Sequence, residues 1–518
     1  MDSQSGINID EFLSPNKSMI IAPAGYGKTH TIVDCLEQYK FENKKILILT
    51  HTHAGIASIK DKITERSIPS KIYEITTICS FALNLTQSFV PESNLPDDSD
   101  MRERFRIAQS LALRLLMAKP IQSALRAKYE HVIVDEYQDC DTVQHNLINR
   151  LSDVIKVHIL GDPMQSIFGF NGTPVDLNSE AVSAYREHLQ ELSIPWRWDN
   201  AGCSNLGKEI SQIRQLLESG KEINLTQLRN IQFVKTNKND LYWRGKRDEI
   251  PPQIIVILRK YLSQRHTGNV LILHPEAYKK APRVKLTKTL SNLGMLESID
   301  DGDFYETISK LESTDNYELI ASIVNFLKET CVASLLDKWF HPDGTLVNKK
   351  SNNKEVVIEK YEILKGIIKP LLEKKTASVI LSVITQIRKL FNIRVVRKDI
   401  YYSIERILKD AESRSISFSQ ALKLNRDKVR RMGRSISGKY IGTTLLTKGL
   451  ECETVVILNA DKFPDEKHFY VAISRCSKRL IIASDKAILS PYKKQRKKTA
   501  RIDSIQPSLF PELDNLDK

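Results

Sequence analysis

Four short stretches carry side chains suited to phosphoryl transfer. The first is the apolar run Met19-Ile20-Ile21-Ala22, which breaks into Pro23-Ala24-Gly25-Tyr26-Gly27 and continues as Lys28-Thr29-His30. A strand that stops in a glycine loop and opens a helix at a Lys-Thr pair is a phosphate cradle. Loop N–H groups around Ala24, Gly25 and Gly27 turn onto an anion, and the helix adds its positive end. Lys28 then meets the outer phosphates and the Thr29 hydroxyl can hold Mg²⁺. Ala22 occupies the first position of the GxxxxGK[ST] pattern. The second stretch is the apolar run from His131 to Val134, ending in Asp135-Glu136-Tyr137-Gln138-Asp139. There Asp135 suits the Mg²⁺ shell, and Glu136 can orient and deprotonate an attacking water. Third, Val157-His158-Ile159-Leu160 leads to Asp162, with Gln165 three positions on, a neutral amide able to read a γ-phosphate without repelling it. Fourth, Pro195-Trp196-Arg197-Trp198 offers Arg197 between two rings as a guanidinium to neutralise transition-state charge.

These groups need strands to deliver them to one edge, the carboxyl edge at which open α/β sheets bind ligands. Lys45 to Thr50 supplies another strand after the cradle helix, giving a βαβ unit and hence a parallel sheet. It runs into His51-Thr52-His53-Ala54-Gly55, read as a polar loop contacting phosphate or sugar, with Thr52 and His53 foremost. Thr76 to Phe81 is a further strand-to-helix junction, and residues 84–125 read as a small helical insertion. Phe168 and Phe170 are spaced as a stacking platform for single-stranded bases would need, with burial in a core as the alternative. Beyond about residue 200, a strand is expected at Gly268 to His274, helices across 300–435, and buried strands at Thr443 to Glu451 and Thr454 to Leu458. Phe469 to Arg475 then leads into a strand at Arg479 to Ala483. This second α/β core carries an arginine but no cradle, so two RecA-like halves sharing one nucleotide are expected.

A chain of 518 residues exceeds what one core supports. The expected division is 1–83 and 126–199 for the first half around the insertion at 84–125. Residues 200–299 and 436–490 form the second half around a helical insertion at 300–435, and 491–518 form a basic, disordered tail. The net charge of +14 and pI near 9.2 suit a surface that meets phosphate backbones. The cluster Arg426, Lys428, Arg430, Arg431 and Arg434 is either a solvated face or part of that surface. Seven scattered cysteines without a C-x-x-C pair argue against zinc and disulfide frameworks, and no leader or membrane span is apparent, so a cytoplasmic protein is expected.

The blocks APAGYGKT, THTHAG, DEYQD, GDPMQSIFGF, PWRW, TKGLE and YVAISR, in this order, resemble those of UvrD/Rep-like superfamily 1A helicases. The resemblance implies an α/β fold of two RecA-like P-loop NTPase domains with mainly helical insertions. The implied activity is ATP- and Mg²⁺-dependent translocation on single-stranded or partial-duplex DNA, 3′ to 5′, in repair, replication or phage defence. Carried over by position, Lys28, Thr29 and Asp135 would hold phosphate and Mg²⁺, Glu136 would be the base and Gln165 the γ-phosphate sensor. Arg197 and Arg475 would be arginine fingers. Trp196 and His30 would face the adenine, and Gly449 and Glu451 would lie at the nucleotide, Glu451 on the ribose. Asn171 and Leu445 depart from the family's Arg and His, which bears on coupling to DNA, and the 84–125 insertion is short. Two other functions fit the same blocks: a motor subunit regulating a partner nuclease, as in Gabija-type antiphage defence, and a nucleotide-gated DNA clamp that does not move. In the tail, Gln506, Leu509 and Phe510 resemble a sliding-clamp-binding peptide.

Overall fold

The computed structural model describes residues 6–40, 43–91, 95, 101–168, 174–236, 252–263, 268–275, 281–290, 292–296, 302–349, 354–432 and 438–492. Phe170, Asn171, Arg434 and the clamp-like residues Gln506, Leu509 and Phe510 lie outside them. Arg426, Lys428, Arg430 and Arg431 fall on the helix Phe418–Met432, of which only the backbone is described there.

The first sheet contains β1 (Lys17–Ile21), β2 (Lys45–Thr50), β3 (Tyr73–Thr77), β4 (Tyr129–Val134), β5 (Lys156–Gly161) and β6 (Leu189–Glu191) in the order β3-β2-β4-β5-β1-β6. Every pairing is parallel. Helices cover both faces of a parallel sheet, which is why its central strands are unbroken apolar runs: Ile46 to Leu49 and Val132 to Val134 are fully buried. A small antiparallel pair joins β7 (Ile223–Asn224) to β14 (Ile488–Leu489).

The second sheet contains β8 (Ile231–Lys235), β9 (Val270–Leu273), β10 (Gly294–Met295), β11 (Lys439–Gly442), β12 (Cys452–Ile457) and β13 (Cys476–Ser484). Their order is β10-β11-β9-β12-β13-β8, again all parallel. One apolar core runs through both sheets, joining Ile20, Ala24 and Ile32 to Ile457, Phe469 and Tyr470. Between β10 and β11 the described chain is helical and has a core of its own, including Ile323, Leu327, Ile380, Ile387 and Ile404.

The segment Thr443 to Glu451, expected to be strand, corrects the sequence reading. The strand lies earlier, at β11, and Thr444–Thr447 is a short helix. β11 pairs with β9 only as far as Gly442 opposite Leu273, where the ladder ends. The Thr447 hydroxyl then bonds back to the Thr443 carbonyl at 3.0 Å and closes a helical turn.

Candidate active site

Adjacency of β4, β5 and β1 sets the acid pair, Asp162 and the cradle side by side on one sheet edge. The Ala22 N–H donates to the Gly161 carbonyl at 2.9 Å, tying the loop to the end of β5. Gly25 and Gly27 have φ of +81° and +91°. A Cβ on Gly25 would come within 2.9 Å of the Arg197 Cβ, and one on Gly27 within 3.1 Å of the Trp196 ring. Only glycine allows both the left-handed turn and that close approach. Gly27 caps the helix Lys28–Gln38, so Lys28 and Thr29 open it.

The Lys28 ammonium is buried 3.1 Å from Asp135 Oδ1 and contacts Glu136 Oε1. Burial opposes its charge, but the two carboxylates outweigh that and raise its pKa above the ordinary lysine value. Burial and the Glu136 charge push Asp135 up, whereas Lys28, Lys448 and the Gln138 amide overcome burial and hold Glu136 below the carboxylate range. Glu136 is thus an ionised acceptor. Its backbone is left-handed, φ +57°, a conformation costing a non-glycine residue about 1 kcal/mol. It is held by the Glu136 N–H on Asp135 Oδ1 at 3.0 Å and the Asp139 N–H on the Glu136 carbonyl at 2.9 Å.

Side chains from the second sheet meet these groups. Arg475, 2% exposed after the helix Glu466–Ile473, donates from Nη2 to Gln165 Oε1 at 3.0 Å. The Gln165 amide donates in turn to Asp162 Oδ2 at 2.9 Å. The other described hydrogen bonds of the Arg475 guanidinium go to the Val471 carbonyl and the Ser474 hydroxyl, which are neutral acceptors. Burial, with Arg197 beside it, lowers Arg475 to about 10, so it remains charged at neutral pH. Arg197 donates from Nε to Glu451 Oε2 at 2.8 Å and from Nη1 to the Ser474 carbonyl, while its backbone N–H donates to the Gly25 carbonyl at 2.9 Å. Of its flanking rings, Trp198 is fully buried core, and half-buried Trp196 lies against Gly27.

The remaining expected residues are placed less tightly around this centre. His30 is exposed, with Arg66 Nη2 3.3 Å from its Nδ1, and partial desolvation together with Lys62 and Arg66 lowers its pKa. Gly449 turns the chain at φ +79° between Lys448 and Glu451. Thr52 uses its hydroxyl to cap Gly55 N–H at 3.1 Å, and His53 begins that helix, His53–Glu65. Phe168 is half-buried, with the Lys448 ammonium 4.6 Å from its ring centroid.

Lys448 and Arg214 are absent from the expected set. Lys448 binds both carboxylate oxygens of Asp139, at 2.6 and 2.5 Å, and the Gln165 carbonyl at 2.7 Å. Arg214 pairs with buried Asp162 at 2.8 Å. Its signal was a charge on the apolar stripe Leu206, Ile210, Ile213, Leu217 of the helix Ser204–Glu218. The donor set fits a nucleoside triphosphate with Mg²⁺: a glycine loop a Cβ would obstruct, a buried ammonium between carboxylates, and a buried guanidinium bonded to neutral groups.

Residues 7–171 match a family model described as an AAA domain. Gabija protein GajB from Bacillus cereus is 30% identical over 125 residues, 23% of this chain and 24% of that protein. An ATP-dependent helicase/nuclease subunit from Oenococcus oeni is 30% identical over 98 residues, 18% of this chain and 8% of that protein. RecBCD enzyme subunit RecB from Mycobacterium tuberculosis is 31% identical over 88 residues, 17% and 8%. The matched part thus spans at most 24% of these relatives' own length. The crystal structure of Pif1 helicase from Candida albicans aligns at a TM-score of 0.39 and 11% identity, over 94% of this chain and 95% of that one, a likeness too loose to assign a fold.

Proposed function

We propose that this chain, a UvrD/Rep-like superfamily 1 helicase, hydrolyses ATP between its two parallel sheets and uses the cycle to move 3′ to 5′ along single-stranded DNA. The observation that carries the reading is Arg475 of the second half on Gln165 of the first, at 3.0 Å, both buried. A cation contributed across a cleft, next to a cradle on the facing sheet, makes hydrolysis depend on how the halves are set. The division at residues 84, 126, 200, 300, 436 and 491 given above is the organisation we assign to that motor.

In this reading the cradle N–H groups and Lys28 hold the phosphates of ATP. The Glu136 carboxylate orients a water and takes its proton, Gln165 reads the γ-phosphate, and Arg475 and Arg197 neutralise charge that grows on the departing phosphoryl group. Thr29 and Asp135 are the residues that would hold Mg²⁺, whose charge supports the same phosphate oxygens. Trp196 and His30 are the residues assigned to the base, and Glu451, which holds Arg197 at 2.8 Å, is assigned to the ribose. Bases of the DNA strand stack on Phe168 and on Phe170, two positions further along the sequence, and basic residues follow the backbone, so affinity falls with salt. ATP turnover with and without single-stranded DNA, and strand displacement on duplexes tailed at either end, test it; DNA-independent turnover or a 5′-tail preference contradicts it.

A second reading, that the motor serves a partner nuclease, is supported by the similarity to an ATP-dependent helicase/nuclease subunit. A nuclease that co-purifies and whose cutting responds to ATP would favour it. The tail is proposed to tether the protein to a sliding clamp. Saturable binding of a 501–518 peptide, lost on Gln506→Ala, would support this, and a flat titration would end it. The site of action is the cytoplasm; fractionation of cells checks that, and recovery with the envelope contradicts it.

A further inference from the structure

The helix Ser204–Glu218 turns one cation inward. Arg214, 7% exposed, pairs through Nη1 with Asp162 Oδ1 at 2.8 Å and donates from Nη1 to the Tyr470 hydroxyl at 2.9 Å, and its guanidinium lies 5.0 Å from the Tyr470 ring centroid. Its Nε meets Glu218 at 2.9 Å. The Tyr470 hydroxyl, 1% exposed, also accepts the N–H of Ala24 in the cradle at 3.1 Å. Asp162 accepts the Gln165 amide at 2.9 Å, and Gln165 accepts from Arg475 at 3.0 Å. Tyr470 lies in the helix Glu466–Ile473, and Arg475 follows its end. Tyr470, Arg214, Asp162, Gln165 and Arg475 therefore form a circuit closed by the backbone from Tyr470 to Arg475, with Ala24 joined to it at the Tyr470 hydroxyl.

Chemistry gives the circuit a direction. A carboxylate only accepts, so Asp162 fixes the Gln165 side chain with its NH₂ toward Asp162 and its oxygen toward Arg475. Asp162 is wholly buried, and the Arg214 guanidinium is a cation that faces it. The Tyr470 hydroxyl accepts from Arg214 and from the cradle at once, so the loop and the guanidinium share one atom. In a buried network of this kind no member moves alone.

We propose that Arg214 is a positioning residue: through Asp162 it sets the orientation of Gln165, and through the Tyr470 hydroxyl it registers the cradle against Arg475, without touching the nucleotide. The proposal rests on the ATP-hydrolysing reading above.

The test compares Arg214→Met, Arg214→Lys and Tyr470→Phe in the full chain. Lysine keeps the charge but lacks the planar reach of arginine. Expected are kcat for ATP at least tenfold down in Arg214→Met and Tyr470→Phe, partial rescue in Arg214→Lys, KM within twofold throughout, and no further loss when Tyr470→Phe is added to Arg214→Met. Amide hydrogen exchange across residues 22–30 of the nucleotide-free protein should rise in Arg214→Met and Tyr470→Phe, with the β2 peptide 45–50 unchanged as the control for folding. Unchanged kcat per folded molecule, losses that multiply in the double variant, or unchanged exchange at 22–30 each overturn the proposal. If the wild-type protein does not hydrolyse ATP, the proposed function fails instead, and the exchange measurement still decides the role of Arg214.

Discussion

The Lys448 ammonium clasps Asp139, with both carboxylate oxygens within 2.6 Å and both side chains 6% exposed. Burial and the Glu136 charge still raise Asp139 to about 6 against the pull of Lys448. The pair joins the segment between β11 and β12 to the acid loop of the first sheet. Removing one partner of a buried pair costs on the order of 3 kcal/mol, whereas removing both costs less. Lys448→Met should therefore destabilise strongly and Asp139→Asn should recover part of the loss, giving a coupling of about 2 kcal/mol in a double-mutant cycle by urea denaturation. Additive losses would mean that the contact holds nothing together.

At the acid pair, Lys28→Ala and Glu136→Gln should separate binding from chemistry. Lys28→Ala leaves two adjacent carboxylates without their cation and should abolish both ATP binding and turnover. Glu136→Gln keeps the shape, and should bind ATP while losing about a thousandfold in kcat. Nucleotide binding by equilibrium titration and phosphate release check both, and near-normal hydrolysis in either variant would remove these residues from the site.

Phe168 sits under Lys448, so its ring is tied to the same clasp. Phe168→Ala should leave basal ATPase within a fewfold and reduce its stimulation by single-stranded DNA at least fivefold, a loss of the size expected when one stacked base loses its ring. Stimulation equal to wild type would make Phe168 a packing residue.

His131 and His158 are buried neighbours, with Nδ1 of one 2.9 Å from Nε2 of the other, and His158 is also bonded to Ser18 at 2.7 Å. Burial lowers His131 to about 4 and His158 well below its ordinary value. The unfolded chain takes up protons near pH 6.5 and the fold does not, so stability falls as pH drops from about 6.5 to about 4 and is level above that window. For His131 alone the loss is on the order of 3 kcal/mol. Denaturation midpoints of wild type and His131→Asn should agree in trend above pH 7 and diverge below 6.5, the wild type losing more; parallel curves down to pH 4.5 would contradict it.

The architecture was legible where chemistry sits at the end of a buried run. Met19 to Ile21 and Val132 to Val134 are continuous apolar segments because parallel strands are covered on both faces, and the Gly25-to-Thr29 loop and the acid pair follow them directly. The same rule misread Thr443 to Glu451, whose Thr-Thr-Leu-Leu run looks like strand, because the end of β9 at Leu273 decides where pairing stops. Arg214 and Lys448 escaped for another reason. Lys448 meets Asp139 across 309 positions of chain, and no local pattern shows which buried charge a distant lysine will neutralise.

The measurement that bears most directly on a shared catalytic cleft is steady-state ATP hydrolysis by the full chain, with and without single-stranded DNA at low salt, in wild type and Arg475→Ala. The cleft predicts hydrolysis stimulated at least tenfold by DNA, and a fall of about a thousandfold in kcat for Arg475→Ala with ATP affinity changed no more than a fewfold. Absence of hydrolysis in the wild type, or an Arg475→Ala rate within a fewfold of it, would contradict the account.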